Sequence, residues 1–506
     1  MNLGVEMSGM AESYFSLAPL LAVLISLFAA VLILLSSRRP NVREAWTILA
    51  ALCKFAVVSS MVPAVLSGLY PEIRLFEIVP GISLALKADP LGLSFALSAA
   101  LLWIFTSFYS IGYMRALEEH NQTRYFASFA VCLSATMGIA FAANLLTFLI
   151  FYEVLTISTY PLVIHKESAA AISAGRKYLA FLLSAGVALL LAVGLTQAMG
   201  GTLEFSAGGF LSPGIGPAGL LALFVLFLVG VGGKAGLIPL HSWLPTAMIA
   251  PTPVSALLHA VAVVKAGVFG FARVMGFVFG PALAADIGAT SLTAVAASVT
   301  IVVASLLAMA QDNLKRRLAY STIGHLSYIV LGTALLAPAG WLGGLFHITT
   351  HAAMKITLFF CAGAIYVKTG RENVSELDGI GRQMPLTMAA FAIGSLGLAG
   401  LPPVGGFLSK WFLAQGTVET GQPVLLGVLL LSGLLNAGYL FPIVIRAFFK
   451  SSTNFTKFQE ASPLMLISLL SSAAFALLLG IYPDGIFHFY SLSSEAVVSV
   501  FKGVVP

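Results

Sequence analysis

VLFLVGVGGKAGLIPLHSWLPTAMIAPTPVSALLHAVAVVKAGVFGFAR, residues 225–273, reads as two bilayer-length helices joined by a Pro-rich turn at 244–252. Pro239 sits inside the first helix, and a lone lysine sits deep in each, Lys234 and Lys265. A charged side chain at mid-bilayer costs at least about 2.5 kcal/mol, so such residues face a wet cavity or a partner and mark an ion path. Two of them on consecutive helices, beside a helix break, predict an ion-translocating pore for which the rest of the chain is housing.

Composition agrees. Hydrophobic residues make up 59% of the chain and charged residues 9%, where a soluble domain carries roughly 25% charged residues. The net charge of +6 would suit an anionic partner if the positives shared a face. They cluster instead in alternate loops, as membrane topology requires, and no nucleic-acid-binding motif is present. The cysteines (Cys53, Cys132, Cys361) lie in separate apolar segments, and an iron–sulfur cluster needs about four thiolates. Without a Rossmann fingerprint or a P-loop, no cofactor and no metal are expected. The driving energy must come from an ion gradient or from another subunit.

Residues 1–14 are acidic before the first apolar run, which is unlike a cleaved signal peptide. Fourteen apolar runs follow, at 15–36, 46–68, 91–113, 124–143, 145–165, 172–199, 218–243, 250–275, 287–309, 316–336, 340–367, 385–413, 422–448 and 462–483. Each approaches or exceeds the ~20 residues that cross a bilayer as a helix. The expected fold is an all-α integral membrane protein of about 14 transmembrane helices. EIRLFEIVPGISLALKADP, between the second and third runs, alternates around turn residues and predicts a small extracytoplasmic β-hairpin near 72–89. The tail from 485 to 506 reads as an amphipathic surface segment. Alternate loops hold seventeen of the twenty-six positives on one side and four on the other. The rich side is cytoplasmic by the positive-inside rule, which places both termini outside a cell (inner or plasma) membrane.

Five spans separate the lysine and break near 234–240 from GLAGLPPVGGFLSKWFL (397–413), again a break beside a lysine, Lys410. Five reverses sidedness, so two inverted five-helix repeats are expected, spans 4–8 and 9–13, with helices 7 and 12 broken. The corresponding divisions are 1–120, 121–276, 284–450 and 451–506.

The remaining five positives, all lysines, fall within spans: Lys54, Lys234, Lys265, Lys355 and Lys410. Lys54 lies near the cytoplasmic end of its span, where snorkelling to the interface is expected. The one acid within a span is Glu153. A carboxylate near Lys234 favours the ammonium, desolvation favours the amine, and moving the carboxylate therefore moves a proton. The alternative is a static pair that fixes helix packing. Lys265 is the next station, with His259 on its helix. FHITTHAAMKITLFF (346–360) sets His347, His351 and Lys355 on one stripe. Two histidines four apart suit zinc only with a third ligand, usually an acid, and the span holds none, so a hydrated proton wire fits better. Lys410 is expected to be the terminal site. His241 and Trp243 read as interfacial anchors, and the glycines of GVGGKAG as helix-packing positions.

NLLTFLIFYEVLTISTYPLV (144–163), the segment 232–267, DNLKRRLAYSTIGHLSYI (312–329) and LPPVGGFLSKW (401–411) together resemble the antiporter-like subunits shared by respiratory complex I (L, M and N type), Mrp Na+/H+ antiporters (D type) and membrane-bound hydrogenases. The resemblance runs from about the third to the thirteenth span. It implies fourteen helices, two inverted bundles and half-channels meeting on a hydrated axis. It also implies that Glu153, Lys234, Lys265 and Lys410 correspond to the family's glutamate and lysines of helices five, seven, eight and twelve. His259, His347, His351 and Lys355 resemble the polar axis of the distal, large-subunit type. That subunit continues into a long lateral helix that this chain lacks, which favours the shorter Mrp or hydrogenase-like subunits.

The expected function is proton translocation by one membrane subunit of a multisubunit complex, coupled to Na+/H+ antiport or to a redox module. The chain would have no catalytic centre of its own. Its partners would be other membrane subunits, the lipid bilayer, H+ and, in the antiport case, Na+. A quinone-interacting or purely structural subunit is the alternative.

Overall fold

The computed structural model describes residues 12–451, 455, 457–485 and 487–502, with His259 described by its backbone alone. Twenty α-helices run in order: α1 (Ala18–Leu35), α2 (Pro40–Ser60), α3 (Val62–Leu66), α4 (Pro90–Ala116), α5 (Gln122–Ala140), α6 (Leu145–Val163), α7 (Ala169–Gly200), α8 (Pro217–Ala235), α9 (Trp243–Thr246), α10 (Thr252–Ala256), α11 (Val263–Arg273), α12 (Pro281–Asp286), α13 (Ala289–Met309), α14 (Leu314–Ala334), α15 (Pro338–Thr369), α16 (Pro385–Ala399), α17 (Gly405–Glu419), α18 (Pro423–Phe449), α19 (Pro463–Ile481) and α20 (Phe489–Phe501). Many open on a proline, whose missing N–H costs nothing in the first turn. Asp89, Asn144, Ser168 and Asn313 cap α4, α6, α7 and α14 by accepting a backbone N–H. Glycines in the left-handed region close α7, α8, α15 and α16.

Among the described residues, ten helical segments are individually long and apolar enough to cross a membrane. Four of the fourteen expected runs are outside that set, for two reasons. Helices α5 and α14 have polar first turns (Gln122, Thr123, Arg124; Lys315, Arg316, Arg317). The runs at 250–275 and 385–413 are each divided. Wide π-turns at Leu257–Val261 and Val274–Phe279 flank α11, and residues 400–404 part α16 from α17. The first of these divisions, in what reads as one continuous helix, is a correction to the sequence reading.

The expected hairpin is present as antiparallel strands β2 (Leu69–Val79) and β3 (Ile82–Lys87), turning at Gly81 with φ +81°. A short strand β1 (Glu12–Phe15) adds in parallel to β2. The tail does not lie on the surface as expected. Helix α20 buries Phe489, Leu492, Ala496 and Val500, and it packs on α4 and α15.

Two five-helix groups share one local design. Asn144 opens α6 and bridges to Glu204 beyond α7; Asn313 opens α14 and bridges to Asn373 beyond α15. The backbone bonds match as well: Leu145 N–H to Leu203 O and Phe205 N–H to Ala143 O in one, Leu314 N–H to Glu372 O and Val374 N–H to Asp312 O in the other. Every pair is offset by 169 residues (144 to 313, 205 to 374), and α7 and α15 are both 32 residues long with that same offset. The two latches lie at opposite ends of the molecule. Asn144 starts α6 beside the sheet, donating to Ser83 O, whereas Asn313 and Glu372 line a cavity with Lys166, just past the other end of α6. The repeats are inverted.

Helix α15 is buried along its span, whereas less than half of the α1, α7 and α18 spans is buried. It is the axis, packed by α4, α10, α14, α16, α17, α19 and α20, and it carries His347, His351 and Lys355.

Candidate functional site

The α8 helix ends where the sequence places its break. Gly236 adopts φ +70° directly after Lys234 and Ala235. Glycines let the neighbours close in: a Cβ on Gly233 would lie 2.5 Å from Ala185 Cβ, and one on Gly267 would lie 2.3 Å from Ala235 N. The second contact seats α11, with Lys265, against the break. Trp243 is wholly buried, and its indole N–H donates to Gly233 O at 2.9 Å. It braces the break from within, correcting its reading as an interfacial anchor.

Lys234 is wholly buried. Its ammonium donates to the Tyr152 carbonyl and sits 3.3 Å from the centroid of the Tyr152 ring. Glu153, the next residue, is half-buried, and its Oε1 is buried with no hydrogen-bond partner. Its carboxylate rests on Gly186 of α7, where an added Cβ would lie 2.3 Å from Oε1. Among the described residues, no ion pair within 4.0 Å joins Glu153 to Lys234. The two expected partners are neighbours held apart.

Lys265 donates to or accepts from His351 Nδ1 at 2.8 Å. The His351 ring stacks on His325 at 5.3 Å, His325 Nδ1 meets His347 Nε2 at 3.1 Å, and His347 Nδ1 meets Ser409 Oγ at 2.8 Å. A second chain runs from Lys355 Nζ to Ser321 Oγ (2.8 Å), to Tyr439 OH (2.8 Å), to Asn436 Oδ1 (2.5 Å). Asn436 Nδ2 donates to Leu398 O at 3.2 Å, and the same oxygen takes the Lys410 ammonium at 2.5 Å. Lys355 and Lys410 are therefore joined by an unbroken line of polar groups. Lys265 reaches Ser409, the residue before Lys410, through three histidines.

The structure thus brings Lys265, His347, His351, Lys355 and Lys410 together and sets Glu153 beside Lys234. The His259 side chain lies outside what is described. His325, Ser321, Asn436, Tyr439 and Ser409 were missed. A lone histidine in an apolar run reads as a satisfied core residue, and neutral polar side chains carry no charge to flag them. Lys54 is a correction: it does not snorkel but is wholly buried, donating to Ser26 Oγ at 2.5 Å and Leu133 O at 3.1 Å. Arg273, at the end of α11, is buried in an ion pair with Asp89.

Inverted five-helix groups around a buried lysine–histidine axis define an antiporter-like membrane subunit. Residues 142–436 match the family described as NADH:quinone oxidoreductase/Mrp antiporter, TM, and the chain belongs to that family. It is 33% identical over 374 residues to NADH-quinone oxidoreductase subunit N of Desulforudis audaxviator, covering 73% of this chain and 74% of the relative. It is 29% identical over 423 residues to hydrogenase-4 component B of Escherichia coli, covering 79% of this chain but 62% of that longer relative. A chain of the Mrp complex from Dietzia sp. DQ12-45-1b has the same fold, with TM-score 0.85 at 20% identity over 96% of this chain and 97% of that one.

Proposed function

We propose that this chain carries protons across the membrane as one subunit of a larger complex, through Glu153, Lys234, Lys265, His259, His347, His351, Lys355 and Lys410. The observation that supports it most is the continuous polar line between Lys355 and Lys410 inside an otherwise apolar bundle. Five buried or part-buried lysines without a carboxylate in contact are costly in a scaffold, and hydroxyls, amides and imidazoles in series are what proton hopping requires. His325 Nε2 and His351 Nε2 are buried without hydrogen-bond partners. A water between two such polar groups would close the relay.

Glu153 is the control element. Near Lys234 it stabilises the ammonium; swung onto Gly186 it leaves the lysine with only a carbonyl and a ring, which favours release of the proton. Fourteen spans, extracytoplasmic termini and a cell-membrane location are part of this reading and rest on the alternation of basic loops. So are the divisions 1–120, 121–276, 284–450 and 451–506, for which the repeated latches speak. The partners would be further membrane subunits, as in the complexes to which the relatives and structural neighbours belong. Sodium, as the counter-ion of an antiport cycle, is the second branch, suggested by the likeness to Mrp subunits.

The test is proton movement, followed by a pH-sensitive dye, in inverted vesicles carrying the intact complex. Wild type is compared with Lys234→Ala and Lys355→Ala, with sodium present or absent and with an electron donor. Loss of transport in assembled variants supports the relay, and the response to sodium or donor selects the branch. Unchanged transport in both variants overturns it.

A further inference from the structure

Outside the buried axis, one cluster has chemistry that the relay does not use. The loop between α4 and α5 carries Glu119 and His120, and the chain leaving α6 carries His165. Their ligand atoms all lie within 4.8 Å of one another. His120 Nδ1 is 3.9 Å and His165 Nε2 is 3.6 Å from the same Glu119 oxygen, and the two imidazoles stack at 4.9 Å. His165 is wholly buried, yet neither of its ring nitrogens has a hydrogen-bond partner. A buried polar side chain left in that state is destabilising unless something completes it.

We propose that Glu119, His120 and His165 bind one divalent transition-metal cation of the zinc class. Two neutral imidazoles and one carboxylate are the borderline donor set that Zn2+ takes in three-ligand sites, with a fourth position left to water. Magnesium and calcium want oxygen donors throughout. Tetrahedral bonds of about 2.0–2.1 Å place donors about 3.4 Å apart, so the cluster must contract. The two carboxylate contacts are already near that spacing, and His120, with its side chain 46% exposed, is free to move in. Of the nearby cations, Lys166 lies toward the Tyr366 ring, 6.0 Å from its centroid, and Arg124 donates to the His165 backbone carbonyl at 3.3 Å, away from the imidazole nitrogens. Glu167, the next acid, is engaged by Arg124 at 2.5 Å.

The bound ion would tie the α4–α5 loop to the end of α6, the helix that carries Glu153. Where Glu153 swings as proposed above, occupancy slows transport; this consequence rests on that reading, whereas the binding itself does not.

The intact complex, stripped with chelator and equilibrated with Zn2+, is assayed for zinc retained per chain in wild type, His120→Ala and Glu119→Gln. Both substitutions lie at a partly exposed loop, so folding does not depend on the buried His165. Wild type is expected to retain one more zinc than either variant, or to bind it at least about tenfold more tightly. Equal zinc in all three overturns the site. Zinc that differs among them but leaves wild-type proton transport unchanged upholds the site and overturns the restraint on α6. Because the retained metal is counted directly, the result stands whether or not the chain moves protons.

Discussion

The two inverted repeats share a backbone and differ in where they put charge. In the first, position 153 on α6 is glutamate, and its partner position on α7 is Gly186, which leaves room for the carboxylate. At the same offset in the second, position 322 on α14 is threonine and position 355 on α15 is lysine. Between the first helix pair the polar group is an acid from α6, and between the second it is a base from α15. The ammonium acceptors also correspond: Lys234 docks on the Tyr152 carbonyl and Lys355 on the Ser321 hydroxyl, at matched positions. One half therefore holds an acid beside its lysine but not paired with it. The other holds lysines wired together through neutral groups. On the proposed reading, the first would change a proton affinity and the second would pass the proton on.

Five substitutions and one control test that division. The largest effect is expected for Lys234→Ala and Lys355→Ala, one in each half, each lowering dye-detected pumping about 100-fold, the scale of losing a positioned proton carrier. If only one of them matters, the halves are not in series. Next comes Gly186→Ala, whose Cβ would meet Glu153 Oε1 at 2.3 Å. Displacing that carboxylate costs about 1–3 kcal/mol as overpacking, so pumping should fall about tenfold. Gly194→Ala on the same helix, with nothing within 4 Å of its Cβ, is the control. Ser321→Ala, which cuts the Lys355 to Tyr439 link, should lower pumping about fivefold, the rate equivalent of one hydrogen bond. The smallest effect is expected for Lys54→Met in the N-terminal helices. It should leave pumping unchanged in assembled complex, because the bonds of Lys54 go to Ser26 and to the Leu133 backbone carbonyl on α5, neither of which belongs to the polar lines through Lys265, Lys355 and Lys410. A pumping defect there would extend the relay beyond the repeats.

What the sequence announces and what it hides follow from the same physics. Intramembrane charge is rare and expensive, so Glu153 and the lysines are conspicuous in a chain that is 9% charged. Glycine and proline interrupt apolar runs, so both breaks are visible as GLIPL and GLPPV. The β-hairpin is betrayed by alternation around Pro80 and Gly81. The polar lines among the lysines are not visible, because Ser321, Tyr439, Asn436 and Ser409 are ordinary helix residues until α14, α17 and α18 bring them together. Lys54 misleads for a related reason. A lysine near a span end can reach water when its helix faces lipid, and only packing against α1 and α5 reveals that this one cannot. Trp243 misleads in the same way, since an indole beside a turn suits an interface as well as a brace.

The constant offset of 169 residues, from Asn144 and Asn313 to Phe205 and Val374, also bears on how this chain can change over evolutionary time. One residue added or removed within α7 would rotate everything beyond it by about 100°, turning Gly186 away from Glu153 or breaking the latch at Glu204. The same holds for α15, Lys355 and Asn373. Substitution can therefore drift freely on the lipid faces of these helices, while insertion and deletion are confined to the stretches outside the latches. Just past residues 205 and 374 the common offset first changes: α8 opens at Pro217 and α16 at Pro385, 168 residues apart.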